Sequence, residues 1–129
     1  MRTARRVDEL ERQLVGRGEA FFHASGAGHE AGAALAPHLV ATDHLHCHYR
    51  DKALLIARGV PLVEFFNTVL CNGSGNSAGR QLSPLLSVPK LNVHSIVGPV
   101  GNNALQAVGI AQQIHADGSR PLVLCSLGD

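Results

Sequence analysis

Tryptophan is absent, and all aromatic residues together make up 4% of the chain. Glycine, at 14 residues, is abundant instead. That balance points to close backbone packing and to ligand sites built from main chain. Cysteine is scarce too. Cys47, Cys71 and Cys125 are odd in number and show no C-x-x-C spacing, which argues against a disulfide framework or a zinc ribbon and fits a reducing compartment. Charge of one sign is missing: 11 Lys and Arg stand against 10 Asp and Glu, a net +1. No field of one sign directs the chain to nucleic acid or to an anionic membrane. No apolar run approaches the ~20 residues that span a bilayer. The first segment lacks a secretory core, and Asp8, Glu9 and Glu11 are foreign to a transit peptide. A cytoplasmic location is the expectation.

What is present is a globular composition, 45% hydrophobic and 16% charged over 129 residues. That is enough for one domain or a piece of a larger one. Val7, Leu10, Leu14 and Val15 recur at helical spacing between Thr3 and Val15, with charges on the other faces, and Gly16 and Gly18 end the run. His29 to Ala36 is a short helix of small residues, with a break expected at Pro37. Asp43 to Tyr49 is extended, and Asp51 to Arg58 is a helix stopped by Gly59. Pro61 opens a helix whose apolar stripe is Leu62, Phe65, Phe66 and Val69. Asn72 to Gly79 is loop, and Gln81 to Leu91, with Pro84 and Pro89, is irregular. Asn103 to His115 is a helix with Ala104, Ala107, Val108 and Ala111 inward. Pro121 to Leu127 is the clearest buried strand, and Gly128-Asp129 come directly after it. The order predicts an α/β fold with a parallel sheet whose ligands bind beyond the strand ends.

Several groups can carry chemistry. Asp129, just past a strand, is either a turn residue or a ligand for a hard cation. Arg50 offers a planar fork suited to phosphate, Tyr49 adds a neutral donor, and Asp51 suits a helix cap. His44, His46 and His48 alternate, so a strand places them on one face. Three imidazoles can bind zinc, although no fourth ligand stands at a telling spacing; the alternative is histidines bonded to backbone. Gly98 to Asn103 precedes a helix, where free N–H groups bind an anion or a ring edge, or where Asn102 or Asn103 is simply the cap. Cys125, within the strand, is expected to be an inert core thiol.

Five motifs occur in order: G-H-E-A from Gly28, H-Y-R-D from His48, G-R-Q from Gly79, G-P-V-G-N-N-A-L-Q-A-V-G from Gly98, and the strand ending in Gly128-Asp129. As a set they resemble the alpha subunit of the thiamine-diphosphate-dependent 2-oxoacid dehydrogenases, of branched-chain or pyruvate type. The resemblance runs from about Val7 to the last residue. It implies that residues 1–129 are the amino-terminal part of a single thiamine-diphosphate-binding domain. It assigns Tyr49 and Arg50 to the diphosphate. The backbone near Gly98 and Val100 goes to the aminopyrimidine, with Val100 bracing the bent cofactor. Gly128 and Asp129 begin the magnesium motif, with Asp129 as a metal ligand.

The reaction implied is decarboxylation of a 2-oxoacid and transfer of the acyl group to a lipoyl arm. The implied partners are a beta-type subunit and a lipoyl-bearing acyltransferase, in an oligomer, with no nucleic acid and no membrane. The chain departs from the family pattern where a histidine usually stands four residues after G-R-Q; here that residue is Leu85, so no catalytic histidine is assigned. His94, nine residues further on, points elsewhere in this reading. The alternative from another class is a non-catalytic remnant that only packs against partner chains.

Overall fold

The computed structural model describes residues 1–128. The elements are α1 (Arg2–Gly16), a 3-10 helix (Glu30–His38), β1 (His44–His46) and α2 (Lys52–Arg58). They continue with α3 (Leu62–Val69), a 3-10 turn (Pro89–Leu91), α4 (Asn102–Ala116) and β2 (Val123–Cys125). This is the expected α/β architecture. β1 and β2 pair in parallel, with His44 opposite Val123, Leu45 opposite Leu124 and His46 opposite Cys125. On its other side β1 takes a single bridge between Leu45 and Val93, so β1 is the centre of the small sheet.

Leu45 is fully buried, and Cys47, Leu54, Leu55, Phe65, Leu86, Val93 and Ile96 close around it. An aliphatic core of this kind needs no tryptophan. Gly59 ends α2 in the left-handed conformation with φ 104°, as a residue without Cβ can.

The buried face of α1 differs from the one its apolar residues predict. The side chains turned inward are Ala4, Val7, Asp8 and Glu11, which have the 3–4 residue spacing of one helical face. Leu10, Leu14 and Val15 stay half-exposed. The reason is electrostatic: Lys52, itself buried, comes up from the start of α2 and gives both carboxylates a cation.

Four local expectations change as well. The 3-10 helix continues through Pro37 to His38, because the proline sits at its penultimate position and the chain closes with Leu39 N–H on the Ala36 carbonyl. Neither Asn102 nor Asn103 caps α4. Gly101, with φ 75°, holds the cap position. Of the four small residues expected to face inward on α4, only Ala107 is buried, since among the described residues β2 is the main element against it. Cys125 is accordingly half-buried on β2, not a core thiol.

Candidate functional site

The carboxyl ends of β1 and β2 lie side by side, and a set of polar bonds fixes the turn after each strand. Asn103, buried at the first turn of α4, donates from Nδ2 to the His46 carbonyl at 3.0 Å and to the Ser126 carbonyl at 2.9 Å. Ser126 Oγ donates to Asp51 Oδ2, and the His48 N–H donates to the same carboxylate oxygen at 3.0 Å and to Ser126 Oγ at 2.8 Å. Asp51 therefore does not cap α2 with its side chain, although it occupies the cap position. It ties the turn after β1 to the turn after β2.

That tie sets out Tyr49 and Arg50. Their side chains associate, with the guanidinium carbon 5.2 Å from the centre of the Tyr49 ring. The His48 ring also lies against Tyr49, 4.0 Å centre to centre. Arg50 Nη1 donates to the Ser25 carbonyl at 2.5 Å, which anchors one arm of the fork.

Two cavities meet at this pair. The first, about 390 Å³, is lined by Phe22, Ala24, Leu82, Pro84, Leu85 and Gly98, together with His23, Ser25, Ser83, Tyr49 and Arg50. The second, about 450 Å³, is lined by His29, His48, Tyr49, Arg50, Asp51, Val100, Leu127 and Gly128. One is largely apolar and the other is rich in nitrogen donors. All the site residues drawn from the motifs that fall within the described residues line one cavity or the other: Tyr49 and Arg50 both, Gly98 the first, Val100 and Gly128 the second. Leu85 lines the first. Asp129 lies outside the described residues.

Gly128 has a steric reason to be glycine. A Cβ there would stand 2.7 Å from His48 Nε2. The glycine of G-R-Q is likewise structural: Gly79 has φ 73°, and a Cβ would meet the Cys71 carbonyl oxygen at 2.3 Å.

The alternating histidines do not converge. His44 Nδ1 bonds His94 Nε2 at 2.9 Å, His46 Nε2 bonds Gln106 Oε1 at 2.7 Å, and His48 lines the second cavity. His94 stacks on His44 and lines neither cavity. Burial, with His44 and His46 close by, pushes its imidazole below the usual histidine range. Among the described residues only Asp8, Glu11 and His23 bring three potential metal-ligating atoms within 4.8 Å of one another. There Lys52 Nζ already supplies the positive charge, bonded to Glu11 Oε2 and 3.2 Å from Asp8 Oδ1.

Sequence reasoning missed this cluster. Asp8 also accepts from Ser25 Oγ at 2.7 Å and from the Gly26 N–H at 2.8 Å, and it lies 3.1 Å from His23 Nε2. Burial works to raise the Asp8 carboxyl. The Gly26, Ser25, His23 and Lys52 contacts outweigh it and bring the group down to about 2. For Glu11 the balance is reversed: burial holds it above the usual carboxylate range despite Lys52. The cluster joins α1 and α2 to residues 23–26, and so supports the Ser25 carbonyl on which Arg50 rests.

The described residues contain no helix long and apolar enough to cross a membrane. The family described as "Dehydrogenase E1 component" matches residues 1–129. Two Arabidopsis thaliana relatives align with the whole chain over 130 residues: 2-oxoisovalerate dehydrogenase subunit alpha 2, mitochondrial, at 28% identity, and subunit alpha 1, mitochondrial, at 27%. The chain spans 28% of the length of each. With its α/β fold and the ordered motifs around two adjoining cavities, the chain belongs to the dehydrogenase E1 component family, on the side of its alpha subunits.

Proposed function

We propose that this chain is the diphosphate-holding part of a thiamine-diphosphate-dependent 2-oxoacid dehydrogenase of the branched-chain type. The observation that carries this reading is the pair of cavities sharing the Tyr49–Arg50 wall. Thiamine diphosphate has a heteroaromatic end and a doubly phosphorylated end. A largely apolar cavity beside a nitrogen-rich one suits that division, so the residues present fit the cofactor. When bound, it supplies the carbon nucleophile and the electron sink for decarboxylation.

The chain's own residues bind and orient. Arg50, with one arm anchored on Ser25, presents the rest of its fork to the diphosphate, and the Tyr49 hydroxyl adds a neutral donor. The ring end belongs in the first cavity beside Gly98, with Val100 bracing the bend. Gly128 leaves the strand end open beside His48. Magnesium is a separate matter. Asp51, the carboxylate lining the second cavity, takes the Ser126 and His48 bonds on Oδ2 and is committed to joining the two strand-end turns. In this reading Asp129 is the magnesium ligand.

The same reading makes residues 1–129 the amino-terminal part of one cofactor-binding domain. Its partners are a beta-type subunit and a lipoyl-bearing acyltransferase, within an oligomer. The cytoplasm is the location we propose; the free cysteines Cys47, Cys71 and Cys125 fit any reducing compartment, and the plant relatives carry "mitochondrial" in their names. One observation favours the non-catalytic alternative: Leu85 puts an apolar side chain in the first cavity, where the resemblance implies an imidazole.

The test is an assay of the chain continued to the length of its relatives and combined with a beta-type subunit. Branched-chain 2-oxoacid is supplied with an artificial electron acceptor. Carbon dioxide release that requires added thiamine diphosphate and magnesium supports the enzyme. Intact assembly without cofactor-dependent release overturns it in favour of the remnant.

A further inference from the structure

The loop between α3 and the G-R-Q motif holds the chain's single Asn-Gly step, Asn72-Gly73. Asn67, Asn76, Asn92, Asn102 and Asn103 are each followed by a residue with a side chain. Asn72, Gly73 and Ser74 are all exposed. The side-chain carbonyl carbon of an asparagine is open to attack by the peptide nitrogen of the next residue. Glycine shields that nitrogen least, because it has no Cβ.

The fold adds what the dipeptide alone does not supply. The Ser74 N–H donates to Asn72 Oδ1 at 3.0 Å, which closes an Asx turn. The turn brings Asn72 Cγ and the Gly73 nitrogen into one small hydrogen-bonded ring. It also sets a donor on the oxygen where negative charge grows when Cγ is attacked. Among the described residues the Gly73 N–H has no acceptor. Gly118, in the chain's single Asp-Gly step, differs: its N–H donates to the His115 carbonyl at 3.1 Å. A Cβ placed on Gly73 would meet nothing within 4 Å, so this peptide has room to turn toward Cγ. The amide nitrogens of Asn76, Asn92 and Asn103, which would be the leaving groups there, are bonded to carbonyls instead.

We propose that Asn72 is a self-modification site, where the side-chain amide is exchanged for a carboxylate through a succinimide formed with Gly73. Hydroxide takes the Gly73 N–H proton, and the nitrogen bonds to Asn72 Cγ. The Cγ–Nδ2 bond breaks, and Nδ2 leaves as ammonia with a proton from water. Water then opens the succinimide. Opening at Cγ gives aspartate. Opening at the main-chain carbonyl gives isoaspartate, in which the chain runs through Cβ and Cγ. Water is consumed, ammonia is released, and nothing is oxidised or reduced. The proposal does not rest on the dehydrogenase reading.

The effect reaches the first cavity. The Asn72 N–H donates to the Asn67 carbonyl at 2.8 Å, and the Asn72 carbonyl accepts from the Gly75 N–H at 3.0 Å. Isoaspartate lengthens the main chain between Asn72 and Gly75, so this turn loses its register. The new carboxylate also stands just past the carboxyl end of α3, where the helix dipole opposes negative charge. The Cys71 carbonyl lies against Gly79, and Leu82 to Leu85 beyond it line the first cavity, so the loop's register sets that wall.

The test is ageing of the full-length protein in mildly alkaline buffer, read by peptide mass mapping with enzymatic methylation of isoaspartate. The amide-to-acid mass gain is expected at residue 72 before any other asparagine, with isoaspartate as the larger product and a rate that climbs with hydroxide. Gly73→Ala adds a Cβ that the fold has room for, so its urea midpoint should match wild type while conversion at Asn72 is largely lost. Aged wild type should be cut by protease within 72–79 faster than fresh protein, and aged Gly73→Ala should not. The same chain unfolded in urea is the control. An Asn72 that stays an amide in the folded protein while it converts in urea overturns the proposal. Conversion at Asn76 or Asn102 that keeps pace with Asn72, or unchanged conversion in Gly73→Ala, overturns it as well.

Discussion

Replacing Lys52 by methionine probes the support beneath the site. Lys52 is 2% exposed, and its ammonium bonds a fully buried Glu11 while lying 3.2 Å from Asp8. Methionine fills similar space but carries no charge, so two carboxylates stay inside the fold without their cation. Asp8 keeps the Ser25, Gly26 and His23 contacts. Glu11 keeps only His23, at 3.7 Å, and its Oε1 already has no hydrogen-bond partner. Removing one member of a buried ion pair costs about 3–5 kcal/mol. With an m-value of about 2 kcal/mol/M, the urea midpoint falls by roughly 1.5–2.5 M. Circular dichroism during urea unfolding measures this. Glu11→Leu added to Lys52→Met should recover part of the loss, because the orphaned charge is gone. A loss below about 1 kcal/mol, the size expected of an exposed pair, refutes the claim that these charges are buried and coupled.

Acid should loosen the same cluster. The Asp8 carboxyl lies at about 2 in the folded chain against an ordinary 3.8, so its contribution to stability is whole above 3.8 and disappears as pH falls toward 2. Glu11, raised by burial, works with the opposite sign: its burden lightens as it is protonated. Unfolding curves from pH 5 to 2 should show a steeper acid loss in wild type than in Asp8→Asn. Gly128→Ala should displace the His48 ring, the side-chain end its new Cβ meets, so diphosphate affinity falls while the urea midpoint moves little; calorimetry and urea unfolding separate the two. Cys47, 1% exposed and pushed up to about 12 by burial and then by Asp51 and Cys125, should resist iodoacetamide in the folded chain, while half-buried Cys71 is alkylated first; mass spectrometry reads the order.

The sequence exposes what is local and what is ordered. The long helices from residues 2 and 102 follow from periodicity and glycine stops. Tyr49, Arg50, Gly98, Val100 and Gly128 follow from the order of their motifs, and the fold then places them around adjoining cavities. What the sequence hides depends on distant pairing. Asp8 and Glu11 look like the solvated face of an amphipathic helix. Lys52, more than 40 positions away, and for Asp8 also Ser25, Gly26 and His23, turn them inward. Asn103 looks like a cap until the two strand ends it bridges are adjacent. His23 carries no motif, and its environment comes from α1 and α2 together. The incomplete burial of α4 is also invisible to periodicity, which reports the apolar stripe and not what covers it.

The most direct test of the diphosphate reading is calorimetric titration of thiamine diphosphate, with magnesium present, into the full-length assembly with its beta-type partner. Wild type and Arg50→Ala are compared. Arg50 makes a charge-assisted contact in this account, and hydrogen bonds to charged groups are worth about 1.5–3 kcal/mol. Affinity should therefore fall roughly tenfold to more than a hundredfold in the variant. An Arg50→Ala assembly that stays folded and binds the cofactor as tightly as wild type would contradict the account.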